Sequence, residues 1–161
     1  VERLDRPPDV VVNVQGDEPA LPAGHLRALL GLFERDDTEM ATLVVPSRDA
    51  EAWRSPHVVK AVTDAEDRAL YFSRAAIPHR RSGGEPRFLK HLGVYGYRRR
   101  VLQRVVSLPP SPLERAEELE QLRALEHGVT VRVARVDDVP GGVDTPEDYR
   151  RFVEWYADRH A

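Results

Sequence analysis

Two carboxylates far apart in the chain occupy positions where a hard cation could be held. Asp17 lies in Gln15-Gly16-Asp17-Glu18-Pro19, directly after the valine-rich run Val10 to Val14. Asp144 lies in Gly142-Val143-Asp144-Thr145-Pro146. A cation such as Mg²⁺ takes oxygen ligands, usually one or two carboxylates with water and substrate phosphate. Two acids arriving at one sheet edge from distant segments meet that need. Each also has a plainer reading. Gly16 to Pro19 is equally a polar turn, and Asp144 sits beside a helix cap, because Thr145-Pro146 with Asp148 fits a helix start. A second group with chemical potential runs from Phe88 to Tyr97. There His91, Gly93, Tyr95 and Tyr97 fall on one strand face and Leu92, Val94 and Gly96 on the other. An imidazole and two phenols beside glycines suit a polar ligand lying close to the backbone. Aromatics packing across a half-exposed strand is the competing reading. The basic run His79-Arg80-Arg81, ahead of the loop Ser82-Gly83-Gly84-Glu85-Pro86, reads as a solvated patch, with phosphate or sugar-acid binding as its second reading.

The elements that must position these groups are readable from periodicity. Four valines in the five positions Val10 to Val14 predict a strand buried on both faces, as inside a parallel sheet. In open α/β sheets ligands bind at the carboxyl ends of such strands, which is where Asp17 falls. Leu26, Leu29, Leu30 and Phe33 predict a helix over Pro22 to Arg35. Met40 to Val45 predicts a strand ended by Pro46, completing a strand–helix–strand unit of right-handed crossover. Residues 50 to 56 read as helical or irregular, anchored by Trp53. Val58 to Thr63 and Ala69 to Ser73, separated by Asp64-Ala65-Glu66-Asp67, predict a hairpin and hence an antiparallel part of the sheet. A short helix is expected over Arg99 to Leu108. Ser111-Pro112-Leu113-Glu114 starts another, running as one piece to His127 and stopping at Gly128. Its acids (Glu114, Glu117, Glu118, Glu120 and Glu126) read as a solvated face. Val129 to Val133 alternates as a half-buried strand, and the last helix places Tyr149, Phe152, Val153 and Tyr156 on one face.

Bulk properties remove several classes of function. A chain of 161 residues suits one domain with a sizeable core, and no linker, internal repeat or low-complexity segment divides residues 1–161. The net charge of −3, without any polybasic block, argues against a nucleic-acid or anionic-membrane surface. All basic residues but Lys60 and Lys90 are arginine. The absence of cysteine excludes disulfides, thiolate metal sites and a cysteine nucleophile. Apolar runs fall far short of the roughly 18 residues a bilayer span requires. A reducing, cytoplasmic setting fits these facts.

Taken in order, several stretches resemble one enzyme family, the 3-deoxy-manno-octulosonate cytidylyltransferases, or CMP-Kdo synthetases. They are Val12 to Pro19, Tyr71-Phe72-Ser73-Arg74 with Ile77-Pro78, and His91-Leu92-Gly93-Val94-Tyr95-Gly96-Tyr97-Arg98. They continue with Ser111 to Glu114, Leu119-Glu120-Gln121-Leu122-Arg123 and Gly142 to Asp148, over roughly residues 10–152. One such stretch would be weak, but the ordered set is specific. The resemblance implies an α/β fold of the nucleotide-diphospho-sugar transferase type, Rossmann-like, with a mixed and mostly parallel sheet flanked by helices. It implies Mg²⁺-dependent transfer of CMP from CTP to the eight-carbon acid sugar Kdo, releasing pyrophosphate and feeding lipopolysaccharide synthesis. It also implies a homodimer.

Carried over residue by residue, Asp17 and Asp144 correspond to the metal-binding, catalytic carboxylates. Gln15, Arg74, His91, Tyr95, Glu120 and Gln121 correspond to the lining of the Kdo pocket, with Tyr97 competing for the place of Tyr95. An arginine can fork onto the sugar's carboxylate while amide, imidazole and phenol groups read its hydroxyls. The family's phosphate-holding stretch, of the type Ala-Arg-x-x-Ser-x-Arg-Leu-Pro-x-Lys, has no counterpart in these residues. The expectation is therefore a single partial cytidylyltransferase domain, incomplete at the amino end and with little activity alone. Two other readings stand beside it: a CMP-sialic-acid-type synthetase, against which the His91 to Arg98 stretch argues, and a non-catalytic dimerisation module.

Overall fold

The computed structural model describes residues 6–16, 19–137, 142, 143 and 145–160, with the backbone alone for the last two. Its centre is β5 (Phe88–Arg98), an eleven-residue strand with neighbours on both edges. Along one edge runs β2 (Met40–Ser47), antiparallel. The other edge is shared by β3 (Lys60–Thr63) at Leu89 and Lys90, and by β1 (Val10–Asn13) from Tyr95 to Arg98, both antiparallel. Outside β3 lies β4 (Ala69–Ser73), its hairpin partner, and outside β2 lies β6 (Val131–Arg135), parallel to it. The hairpin turn reaches round to β6, where Arg68 bridges Arg132 and the Val133 N–H donates to the Asp67 carbonyl at 2.9 Å. The sheet is therefore rolled, not flat.

The α/β class holds, but the expected balance of strand directions does not: among the described strands, β2–β6 is the only parallel pair. The cause is topological. β1 and β2 both run antiparallel to β5, so they are parallel to each other, yet β5 lies between them. The strand buried on both faces is β2 and not β1. Met40, Thr42 and Val44 alternate with Ala41, Leu43 and Val45, and all six are buried. The β1 valines are only half-buried, because among the described residues this strand pairs with β5 alone. β2 also continues through Pro46 to Ser47. Its pairing with β6 ends at Val44, so the missing proline N–H falls where β2 has one neighbouring strand instead of two.

Two apolar layers sandwich the sheet. On one side Leu29 of α1 (Ala23–Gly31) and Phe33 of the following 3₁₀ turn pack on Ala41, Leu43, Val45, Leu92 and Val94. On the other, Met40, Val44, Phe72, Tyr95 and Val131 meet Val101 of α3 (Arg99–Ser107) and the segment Leu119 to Val129. Trp53 of α2 (Ala50–Arg54) anchors as expected, donating from Nε1 to the Ile77 carbonyl at 3.1 Å. The helix expected as one piece from Ser111 is two: α4 (Pro112–Glu117) and α5 (Gln121–Glu126), broken where Glu118 turns left-handed at φ 54° and ψ 48°. Arg123 staples the two pieces, donating from Nε to Glu114 at 2.8 Å and from Nη2 at 2.5 Å. α6 (Pro146–His160) begins with its predicted cap: the Asp148 N–H donates to Thr145 Oγ1 at 3.2 Å and the Thr145 N–H to Asp148 at 2.9 Å. Its Tyr149, Val153 and Tyr156 are exposed. Among the described residues no helix is long and apolar enough to cross a membrane.

Candidate functional site

The strand face carrying His91, Tyr95 and Tyr97 is built by a bulge. Between the pairs Thr42–Tyr95 and Leu43–Leu92, β5 holds two extra residues, Gly93 and Val94. Two insertions preserve side-chain alternation, so the faces read from the sequence survive. Buried Thr42 ties off the irregularity, its hydroxyl lying 2.8 Å from the Val94 carbonyl and 3.2 Å from that of Leu92. The same oxygen lies 3.0 Å from His91 Nε2. With the Thr42 proton on Val94, Oγ1 accepts from the His91 Nε2–H, and Nδ1 is left as a lone-pair acceptor.

An aromatic ladder follows. Phe72 stands edge-on to His91 with centroids 5.1 Å apart, His91 lies 5.3 Å from Tyr95, and Tyr95 lies 6.1 Å from Tyr97. Burial drops the His91 pKa to about 3, so its ring is neutral near pH 7. Burial also raises both phenols, Tyr97 to about 12, with the nearby Glu120 carboxylate pushing the same way. Glu120, at the start of α5, is thus electrostatically coupled to β5. The hydroxyl of Tyr95, a residue only 7% exposed, is buried and has no hydrogen-bond partner among the described residues. Gln121, next to Glu120, is buried as well.

Gln15 follows β1 and lies on the bare backbone of Gly93, where a Cβ would come within 2.9 Å of Gln15 Oε1. Gly96, on the opposite face, is bare for another reason: a Cβ there would stand 2.6 Å from the Phe33 ring. Of the two glycines the sequence associates with a ligand, only Gly93 faces the polar side. Arg74 follows β4, level with His91, because both strands pair with β3 at Lys60. Its guanidinium donates to the carbonyls of Glu117 at 2.8 Å, Pro56 at 3.0 Å and Glu118 at 3.4 Å.

The structure therefore brings Gln15, His91 and Tyr95 together on one face of β5, with Glu120 and Gln121 at the start of α5 and Arg74 tied to the turn before it. Asp17 and Asp144 lie outside the described residues. Among the described residues, no group of three or more His, Cys, Asp or Glu side chains could hold a metal ion. The basic run His79 to Arg81 sits in a loop where Arg80 caps the Glu85 carbonyl. An open cavity of about 410 Å³ lined by Asp9, Asp36 and Arg98 to Arg100 shares no residue with the cluster.

Sequence reasoning missed three contributors. Thr42 carried a signal, as the one polar residue in Met40 to Val45. Lys60 and Glu117 carried none that local patterning reads, and the acids of α4 and α5 are not simply a solvated face. Glu114 is buried against Arg123, and half-buried Glu117 takes hydrogen bonds from Ser73 and Arg74.

Fold and sequence together define the class: residues 1–132 match the cytidylyltransferase family model, and the chain belongs to the cytidylyltransferase family. Similar proteins are narrower in name. The chain is 47% identical over 152 residues to the 3-deoxy-manno-octulosonate cytidylyltransferase of Acidobacterium capsulatum, and 51% identical over 150 residues to that of Myxococcus xanthus. These alignments cover 94% and 92% of the chain, which spans 62% and 61% of the two relatives' lengths. A solved structure of CMP:2-keto-3-deoxy-manno-octonic acid synthetase, complexed with CTP, matches 94% of the chain with a TM-score of 0.88 and 40% identity. The chain spans 63% of it.

Proposed function

We propose that these residues form the acid-sugar side of an enzyme that transfers CMP from CTP to Kdo. The observation that carries the reading is the polar face of β5 in a cytidylyltransferase fold. A neutral imidazole, a buried phenol without a partner among the described residues, an amide on a bare glycine and a carboxylate come together there, with a guanidinium held beside α5. That set matches a polyhydroxylated acid: hydroxyls exchange hydrogen bonds with His91 Nδ1, Tyr95, Gln15 and Glu120, and a carboxylate suits Arg74. Gln121 lines the same pocket. The relatives' shared name supports the sugar's identity.

In the reaction the anomeric hydroxyl oxygen bonds to the α-phosphorus of CTP, the bond to the β-phosphate oxygen breaks, and pyrophosphate leaves. The hydroxyl proton departs with the attack. The pocket's contribution is positioning, which holds the nucleophile in line and excludes competing water. Asp17 and Asp144 would hold Mg²⁺, an assignment that rests on their oxygen-donor chemistry and on the resemblance. When bound, that ion neutralises triphosphate charge. A homodimer working in the cytoplasm and supplying lipopolysaccharide synthesis completes the proposal.

The test is formation of CMP-Kdo by the full-length protein from CTP and Kdo, with a sialic acid as the competing acceptor. Kdo-dependent pyrophosphate release is expected, with the sialic acid a poor substrate. Equal use of both sugars, or no turnover of Kdo, would overturn the reading. Asp17→Asn and Asp144→Asn should each slow turnover by about 10² or more, the scale of a lost essential electrostatic group. Near-normal rates in both would remove the metal assignment.

A further inference from the structure

Arg74 is gripped at its backbone as well as at its guanidinium, and the residues that grip it lie outside the pocket lining. The half-buried carboxylate of Glu117 accepts from Ser73 Oγ at 2.5 Å, from the Arg74 N–H at 2.8 Å and from the Tyr71 hydroxyl at 3.4 Å. On the other side of the strand end stands Lys60, whose side chain is fully buried. Its Nζ donates to three carbonyls: Ser55 at 2.9 Å, Val58 at 2.5 Å and Arg74 at 2.5 Å. Glu117 thus holds the N–H of Arg74 and Lys60 holds its C=O.

The left-handed turn at Glu118 completes the arrangement. Only a few per cent of non-glycine residues adopt positive φ, and such positions persist where their surroundings hold them. Here the turn presents the carbonyls of Glu117 and Glu118 to Arg74 Nε and Nη2, then starts α5 with Glu120 and Gln121. Among the described residues three of the five guanidinium N–H groups are engaged, and one on each terminal nitrogen is left over, enough for the two oxygens of a carboxylate.

We propose that Glu117 and Lys60 are positioning residues that set affinity for the acid sugar by fixing Arg74 in one frame with Glu120 and Gln121. The inference rests on the function proposed above. Neither residue touches substrate. Burial favours the neutral form of Lys60, and the Glu117 charge opposes that. Losing the Glu117 carboxylate takes the acceptor from the Ser73 hydroxyl and the Arg74 N–H, and leaves the guanidinium–carbonyl bonds of Arg74 to tie the α4–α5 turn to β4.

The experiment is steady-state kinetics on the full-length protein, varying Kdo at saturating CTP and the reverse, with melting temperatures recorded alongside. Glu117→Gln replaces one carboxylate oxygen with an NH₂, so either the Arg74 N–H or the Ser73 and Tyr71 hydroxyls lose their acceptor. Its KM for Kdo should rise about tenfold, the scale of one lost charge-assisted hydrogen bond, with kcat and the KM for CTP within about threefold. Glu117→Asp, which keeps the charge, should recover part of the loss. Lys60→Met should raise the same KM. If it does not fold, the two Glu117 variants carry the test. An unchanged KM for Kdo in folded Glu117→Gln, or equal rises in both KM values, would overturn the inference while leaving the function standing. Wild-type protein that does not use Kdo would overturn the function and this inference with it.

Discussion

On one face of β5, Leu92, Val94 and the bare Cα of Gly96 pack against Leu29, Phe33, Ala41, Leu43 and Val45. On the other, His91, Tyr95 and Tyr97 stand in a ladder with Phe72, next to Gln15 on Gly93 and within the field of Glu120. The first face is buried and the second only partly so, and they differ in what burial leaves satisfied. The first is an apolar contact of ordinary kind. The second carries a neutralised imidazole and a phenol hydroxyl without a partner among the described residues, each of which costs stability. A strand optimised for folding alone would not keep them, and that difference supports the proposal that the second face is the ligand side.

That contrast is open to attack by substitution. Acid exposes it most strongly. Burial lowers the His91 pKa from 6.5 to about 3, so between those values the unfolded chain binds a proton that the folded chain refuses. The stability held by neutral His91 is complete above about pH 6.5 and falls with acidification, by up to about 1.4 kcal/mol per pH unit. Urea unfolding at pH 7 and pH 4.5 should therefore show a smaller loss for His91→Gln than for the wild type. Equal losses would mean that the ring is not held neutral.

Gly96→Val should destabilise the apolar face by about 1–3 kcal/mol, because its side chain must enter space held by the Phe33 ring and the Leu29 side chain. The melting temperature should fall while the KM for Kdo of the folded protein stays put. A smaller change is expected at the other glycine. Gly93→Ala meets only the end of exposed, flexible Gln15, so stability should move by no more than about 0.5 kcal/mol. The KM for Kdo should nonetheless rise about threefold, the scale of a weakened hydrogen bond. A Gly93 variant that melts early without a change in KM would reverse the assignment of the two faces.

Much of this face was legible in the sequence, and the reason is parity. Alternation from His91 to Tyr97 predicts the two sides of β5, and the bulge at Gly93 and Val94 leaves them intact because it adds two residues. The capped start at Thr145 and the hairpin between Thr63 and Ala69 were legible too, since caps and turns are local chemistry. Strand direction was not. A run of valines does not tell which strand will lie beside it, and β5 enters between β1 and β2 from about forty residues beyond β2. The break at Glu118 also left no mark, because no glycine or proline announces it and long-range bonds to Arg74 and Ser73 hold it. For the same reason Glu117 looked like one more surface acid.

Tyr95 isolates the comparison in a single atom. Its hydroxyl is buried without a partner among the described residues, so Tyr95→Phe removes a desolvated polar group and leaves the ring in place. Measured side by side in the full-length protein, the melting temperature should hold or rise, by up to about 1 kcal/mol of added stability, while the KM for Kdo increases. A lower melting temperature with an unchanged KM for Kdo would contradict the account, and would return this face of β5 to the core.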